Sequence, residues 1–371
     1  MNGTLAARVT LWGRERLAVL DPALLGIVGS LMLIGLITLY SAASDSTARF
    51  NDQLRNFAIA GAVMFVAASL SPKTLMNVAA PAYVIGLVLL IAVEFAGVTV
   101  KGATRWLDLG VGRMQPSEIM RLALPMTLAW YFHRREGAVR TVDFLVAAML
   151  TLVPIAFIVH EPDLGTALML LVAGGCVIFF AGLPWKWLAT MVLGVLACLP
   201  LAWTLMHDYQ RQRVLTLIEP MTDPLGKGFH TLQAMIAIGS GGVFGKGWTQ
   251  GTQTHLEFIP ERTTDFIFAV YSEEFGLVGN LVLLALFFAL IVRALSIAEA
   301  AATLFGRLLA ASIALIIFTY AFVNMGMVSG VLPIVGVPLP FISYGGTALV
   351  TLGLACGILM SIQRHRRLVQ T

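Results

Sequence analysis

Residues 143–182, DFLVAAMLTLVPIAFIVHEPDLGTALMLLVAGGCVIFFAG, decide the fold. Two apolar stretches, 143–160 and 164–182, meet at His160-Glu161-Pro162-Asp163. Each is long enough to cross a hydrocarbon core of about 30 Å as a helix rising about 1.5 Å per residue. Proline removes a backbone donor, and carboxylates inside lipid are costly, so these four residues predict a turn between two spans rather than a kink within one.

Working outward, the same apolar pattern recurs along the chain. Spans are expected at 22–43, 56–71, 75–97, 116–133, 143–160, 164–182, 187–206, 264–292, 305–329 and 341–362. The fold class is therefore an all-α polytopic membrane protein of about ten transmembrane helices. Composition agrees: 58% of the residues are hydrophobic and 12% charged, with mean hydropathy +0.87. Soluble domains carry about 25% charge, so an ordinary soluble protein is excluded. The net charge of +4 does not indicate a nucleic-acid partner, because the basic residues are scattered between spans and form no stripe with interleaved aromatics. Cys176, Cys198 and Cys356 all lie in apolar runs without chelating spacing and read as small core residues. The first apolar run lacks a small-x-small cleavage pattern before a polar chain, and is expected to stay as the first helix.

Ten spans put both termini on one side, and lysine and arginine decide which side. Thirteen of them, including Arg134, Arg135 and Arg364, fall on the side of the termini, against five in the opposite short loops. Both termini are expected to be cytoplasmic. The chain then divides into a cytoplasmic 1–21, seven helices over 22–206, a large external loop over 207–263, three helices over 264–362, and a cytoplasmic 363–371. No internal repeat of the kind found in inverted-repeat transporters stands out.

The motifs lie on the external side. Gly239-Ser240-Gly241-Gly242-Val243-Phe244-Gly245-Lys246-Gly247 fails as a Walker loop, since Ser240 and Gly247 stand where that loop needs glycine and Ser or Thr. It reads either as a surface loop or as a place where Lys246 meets a substrate phosphate. Phe258-Ile259-Pro260-Glu261-Arg262-Thr263-Thr264-Asp265 leads back into the membrane, with Asp265 expected in the first helical turn. Two readings fit Asp265: a cap for that helix, or a functional acid at a membrane boundary. Glu273 and Glu274, two turns on, read as partners for an arginine or as groups facing a wet cavity. Glu118 and Arg121 are three apart on one helix face and can pair. Asp163 adds a further acid, and Glu118, Asp163 and Asp265 could share a hard divalent cation such as Mg or Mn. Residues 333–346 hold three prolines and three glycines and cannot form a regular lipid-facing helix, so they should be buried or line a cavity.

Taken together, four motifs in register resemble the SEDS (shape, elongation, division and sporulation) family of cell-wall polymerases, in particular its elongation-specific branch. They are Trp106-Leu107 with Gln115-Pro116-Ser117-Glu118; Glu161-Pro162-Asp163-Leu164-Gly165-Thr166; Phe258-Ile259-Pro260-Glu261 through Asp265-Phe266-Ile267; and Gly336-Val337-Pro338-Leu339-Pro340-Phe341-Ile342-Ser343-Tyr344-Gly345-Gly346. The resemblance covers nearly the whole chain. It departs at Thr263, where the family often has histidine, and at Arg121, where it often has lysine.

The resemblance implies a peptidoglycan glycosyltransferase in the bacterial cytoplasmic membrane that polymerises lipid II on the outer face and releases undecaprenyl pyrophosphate. It makes Asp265 the essential residue and places Glu118, Arg121 and Asp163 in the same outer cavity. It also implies a class B penicillin-binding protein and other elongation-complex membrane proteins as partners. Inversion at the donor carbon calls for a general base, the role expected of Asp265. Lys101, Arg105, Arg121, Lys246 and Arg262 are the candidate cations for the leaving pyrophosphate, and Ser343 a candidate substrate contact. Two rival functions share the composition: a lipid II flippase without bond making, and a non-catalytic scaffold of the elongation machinery.

Overall fold

The computed structural model describes residues 20–43, 46–100, 103–108, 110, 113–161, 163–205, 211, 227–256, 258–259 and 261–366. Among the described residues, ten long helices overlap the expected spans, α2 starting nine residues earlier than expected: α1 Pro22–Ala42, α2 Thr47–Ser69, α3 Pro72–Ala96, α4 Pro116–Arg134, α5 Thr141–His160, α6 Leu164–Phe180, α7 Trp185–Leu205, α10 Ile267–Ala300, α11 Leu304–Val328 and α12 Thr347–Arg364. Among the described residues of the expected loop lie α8 Lys227–Ser240 and the single-turn α9 Thr252–His255. Among the described residues, six helices are long and apolar enough to cross a membrane: α1, α3, α5, α10, α11 and α12.

Local sequence sets the helix starts. Asp21, Ser71 and Asp163 each accept a backbone N–H three residues on, from Leu24 at 3.0 Å, Thr74 at 3.2 Å and Thr166 at 3.1 Å. Proline fills the first position of α1, α3 and α4, where its missing N–H costs nothing. α5 ends at His160 and α6 begins at Leu164, with Glu161 and Asp163 between them, as expected from the acids there.

α11 is buried along most of its length. The outer helices instead turn large apolar side chains outward, such as Leu33, Val84, Met149 and Phe288. A soluble fold would hide that surface, whereas lipid leaves it no cost. At one end of the bundle, Arg293 of α10 holds Asp21 at the start of α1, and Ser361 Oγ of α12 donates to Leu70 O at 2.6 Å.

The other end carries the irregular segments. A small antiparallel sheet is formed by β1 Val98–Val100, β2 Ala103–Asp108 and β3 Arg113–Met114, with Val98 opposite Trp106 and Leu107 opposite Met114. The glycine-rich stretch docks into a break in α10. Gly276 there has φ 63° and ψ −160°, which interrupts the helical hydrogen bonds. Lys246 N and Gly247 N donate to the freed carbonyls of Glu273 (3.0 Å) and Glu274 (3.1 Å). Leu277 N and Val278 N donate in turn to the carbonyls of Gly242 (2.9 Å) and Val243 (3.0 Å). A Cβ on Gly245 would stand 2.0 Å from Glu274 O, so only glycine allows this approach.

Candidate active site

Asp265 lies in the turn 261–266, two residues before α10 begins, and not in the first helical turn. The helix begins at Ile267, and its N-cap position is held by Phe266, whose side chain makes no cap. Thr264 Oγ1 bonds back to Glu261, at 3.0 Å from Oε2. Facing this turn is the non-helical strap 329–346, and α12 starts only at Thr347, six residues after the expected 341. Phe341 has φ +63°, outside the helical region, and the flexible pair Gly345-Gly346 follows, so the helix starts only after them. Ser343 Oγ donates to Thr264 O at 2.7 Å and accepts from Leu339 N at 2.8 Å. Tyr344 N donates to Thr263 O at 2.9 Å. Gly336, with φ +73°, faces the acid: a Cβ there would stand 3.4 Å from Asp265 Oδ2.

A second group of side chains comes from β2, α4 and α6. Arg121 Nη1 donates to Glu118 Oε1 at 2.7 Å, and its Nη2 donates to Thr166 Oγ1 at 2.8 Å. Thr166 Oγ1 donates to Asp163 Oδ2 at 3.0 Å. That oxygen also accepts from Gln115 Nε2 at 3.0 Å and pairs with Arg105 Nη1 at 3.2 Å. The Arg121 guanidinium lies 5.3 Å from the ring centre of Tyr320 on α11. Glu118, Arg121 and Asp163 are all more than nine-tenths buried, and each charge is met by another, which offsets the cost of burial.

These two groups line one polar cavity of about 360 Å³, whose walls include Arg105, Glu118, Arg121, Asp163, Asp265 and Ser343. Six of the nine residues singled out from sequence therefore meet. Lys101 lies outside the described residues. Lys246 and Arg262 do not line this cavity. Lys246 Nζ donates to Glu273 Oε1 and Thr252 Oγ1, both at 2.7 Å. Arg262 Nε donates to Ala42 O at 2.8 Å and Nη1 to Thr254 O at 3.0 Å. Both cations fasten loop to helix in this structure. Ser343 likewise has its hydroxyl committed to the turn and the strap.

Glu273, completely buried, takes a lysine as partner, not an arginine, and Glu274 accepts from Ser41 Oγ and from Thr249 N at 3.2 Å. Glu161, beside the cavity in the α5–α6 turn, is pushed up to about 8 by burial first, then by the nearby charges of Asp163 and Glu94, with Arg105 opposing. The shared-cation reading finds no support in the donor set: among the described residues, no three His, Cys, Asp or Glu side chains gather as a metal requires.

An apolar groove of about 710 Å³ adjoins the cavity and shares Gln115, Glu118, Gly346 and Thr347 with it. Leu75, Val78, Ala82, Ile119, Ala123 and Val350, from α3, α4 and α12, line the groove. Sequence reading missed Thr166 as a bridge, and Tyr320 and Asn324 altogether. The last two carried a signal, being polar groups four residues apart on one face of an apolar span.

Comparison with known proteins agrees with this geometry. The family model for the cell cycle proteins FtsW, RodA and SpoVE matches residues 17–368. Peptidoglycan glycosyltransferase MrdB of Escherichia coli K12 is 45% identical over 361 residues, which is 97% of each chain. A probable peptidoglycan glycosyltransferase FtsW of Aliivibrio salmonicida is 35% identical, covering 94% of this chain and 90% of that protein. Among solved structures, one described as the structural coordination of polymerization and crosslinking by a peptidoglycan synthase complex matches with TM-score 0.82 and 32% identity, covering 94% of this chain and 99% of that one. The rod shape determining protein RodA of Thermus thermophilus matches with TM-score 0.72 and 29% identity, over 93% and 97% of the two chains. The chain is a multi-pass membrane protein and belongs to the FtsW/RodA/SpoVE family.

Proposed function

We propose that this protein is a peptidoglycan glycosyltransferase that polymerises lipid II at the outer face of the bacterial cytoplasmic membrane, with both termini cytoplasmic. The observation that carries the reading is a polar cavity holding Asp265 beside an apolar groove between α3, α4 and α12. A sugar diphosphate on a polyprenyl tail needs both surfaces together. The identities of the relatives point the same way, since two of them are glycosyltransferases of peptidoglycan by name.

In this mechanism Asp265 takes the proton of the acceptor's 4-hydroxyl as that oxygen attacks the donor's anomeric carbon from the face opposite the leaving undecaprenyl pyrophosphate. The result is a β-linked product from an α-linked donor, without a covalent enzyme intermediate. The departing pyrophosphate is already anionic, so cationic stabilisation matters more than acid. Arg105 suits that role, because it is about a third exposed, lines the cavity and leans on Asp163 at 3.2 Å. Arg121 is committed to Glu118 and Thr166 and sets the field of the site. The partner in this reading is a class B penicillin-binding protein that cross-links the strands, in keeping with the complex that the fold resembles.

Purified protein, reconstituted in vesicles with labelled lipid II, tests the reading. Glycan polymer is the expected product. Translocation of lipid II across the vesicle without any polymer would replace the enzyme by a flippase, and neither activity would leave a scaffold.

A further inference from the structure

Asp265 and the strap opposite it are both held in backbone shapes that do not persist unaided. Glu261, which opens the Asp265 turn, has φ +49°, and Phe341 in the strap has φ +63°. Neither is glycine, and side chains rarely tolerate that region unless their surroundings fix them. The surroundings include Asn324, in the last turns of α11, with no exposed surface. Its amide nitrogen donates to Asp265 O at 2.9 Å and to Val337 O at 2.7 Å. One hydrogen goes to the acid's own residue and the other to the residue following Gly336, the glycine that faces the carboxylate. Among the described residues, Asn324 Oδ1 has no hydrogen-bond partner. The amide is therefore present for its two donors, and turning it over would set oxygen against two carbonyls.

We propose that Asn324 is a positioning residue for glycosyl transfer, clamping the Asp265 turn to the Gly336–Ser343 strap so that the carboxylate stands fixed at the reacting hydroxyl. This rests on the polymerase reading above. Ser343 and Tyr344 tie the strap to Thr264 and Thr263, whereas Asn324 grips Asp265 itself. The clamp leaves lipid II binding to the groove and the cationic wall. Its loss therefore lowers turnover and spares affinity.

The test compares Asn324→Leu, which removes both donors at similar volume, and Asn324→Ser, which keeps at most one, with wild type on lipid II. Folding is followed by gel filtration and thermal unfolding in detergent, and rates are expressed per folded molecule. We expect kcat to fall at least tenfold in either variant with KM within about threefold, and the acidic limb of the kcat–pH profile to move. Should Asn324→Leu fail to fold, Asn324→Ser decides alone. A folded variant with wild-type kcat and an unmoved acidic limb overturns the proposal, as does a loss explained wholly by a smaller folded fraction. Asp265→Asn, run alongside, separates the two readings: polymer from that variant removes the base itself, whereas polymer only from the Asn324 variants removes the clamp and leaves the base.

Discussion

Arg121 shows how one side chain can serve fold and site together. Its two terminal nitrogens go to different partners, Glu118 and Thr166, and Thr166 passes the contact on to Asp163. The planar fork spans both at once, which a compact ammonium at that position does not. Arg121→Met should cost about 3–5 kcal/mol, because it strands the Glu118 carboxylate in a buried setting. The Glu118→Leu/Arg121→Met double variant should lose clearly less than that single variant, as seen in thermal unfolding in detergent. Glu161 makes a pH prediction. Its carboxyl rises from an ordinary 4.5 to about 8 in the folded chain, so the folded state binds the extra proton. Stability should therefore fall as pH rises from about 4.5 through about 8, by linkage. Glu161→Gln should flatten that part of the stability–pH curve; an unchanged slope would show that the group does not carry it.

At the scale of elements, the glycine-rich stretch is the segment whose chemistry changed most between sequence and structure. Read alone, Gly239 to Gly247 offers bare amides for a phosphate. Folded, those amides fill the gap that Gly276 opens in α10. Gly245→Ala places a Cβ against the Glu274 carbonyl and should uncouple the pair, leaving buried backbone groups unmet at about 1–3 kcal/mol each. Protease sensitivity at the loop and a lowered unfolding temperature would report it. The two contributors to that dock lie about 30 residues apart, and a local reading has no means of joining them. The small sheet was nearer to legible. Val98-Thr99-Val100 and the following Ala103 to Trp106 are rich in branched side chains around Lys101-Gly102, a hairpin signal hidden beneath the stronger hydropathy of the neighbouring spans.

At the scale of the molecule, the all-helical membrane fold and the break between α5 and α6 could be read directly, because lipid forces backbone groups into helices and leaves a strong apolar signature. The cavity was legible in part. Glu118, Arg121, Asp163 and Asp265 announced themselves as ionisable groups at membrane boundaries, whereas Lys246 and Arg262 share that property and serve the fold instead. Charge alone does not distinguish a ligand contact from a staple. The groove between α3, α4 and α12 was not legible, since its apolar lining looks like any lipid-facing surface. Ala123→Trp should obstruct it and raise KM for a full-length polyprenyl donor at least tenfold, with a smaller effect on a short-chain analogue.

The proposed chemistry turns on Asp265 as the base at the centre of the cavity. Its most direct test is the initial rate of lipid II polymerisation by Asp265→Asn, matched with wild type in thermal unfolding and lipid II binding. Loss of a positioned base should lower that rate by about 10²–10⁴-fold while binding persists. A folded Asp265→Asn protein that polymerises at the wild-type rate would contradict that role.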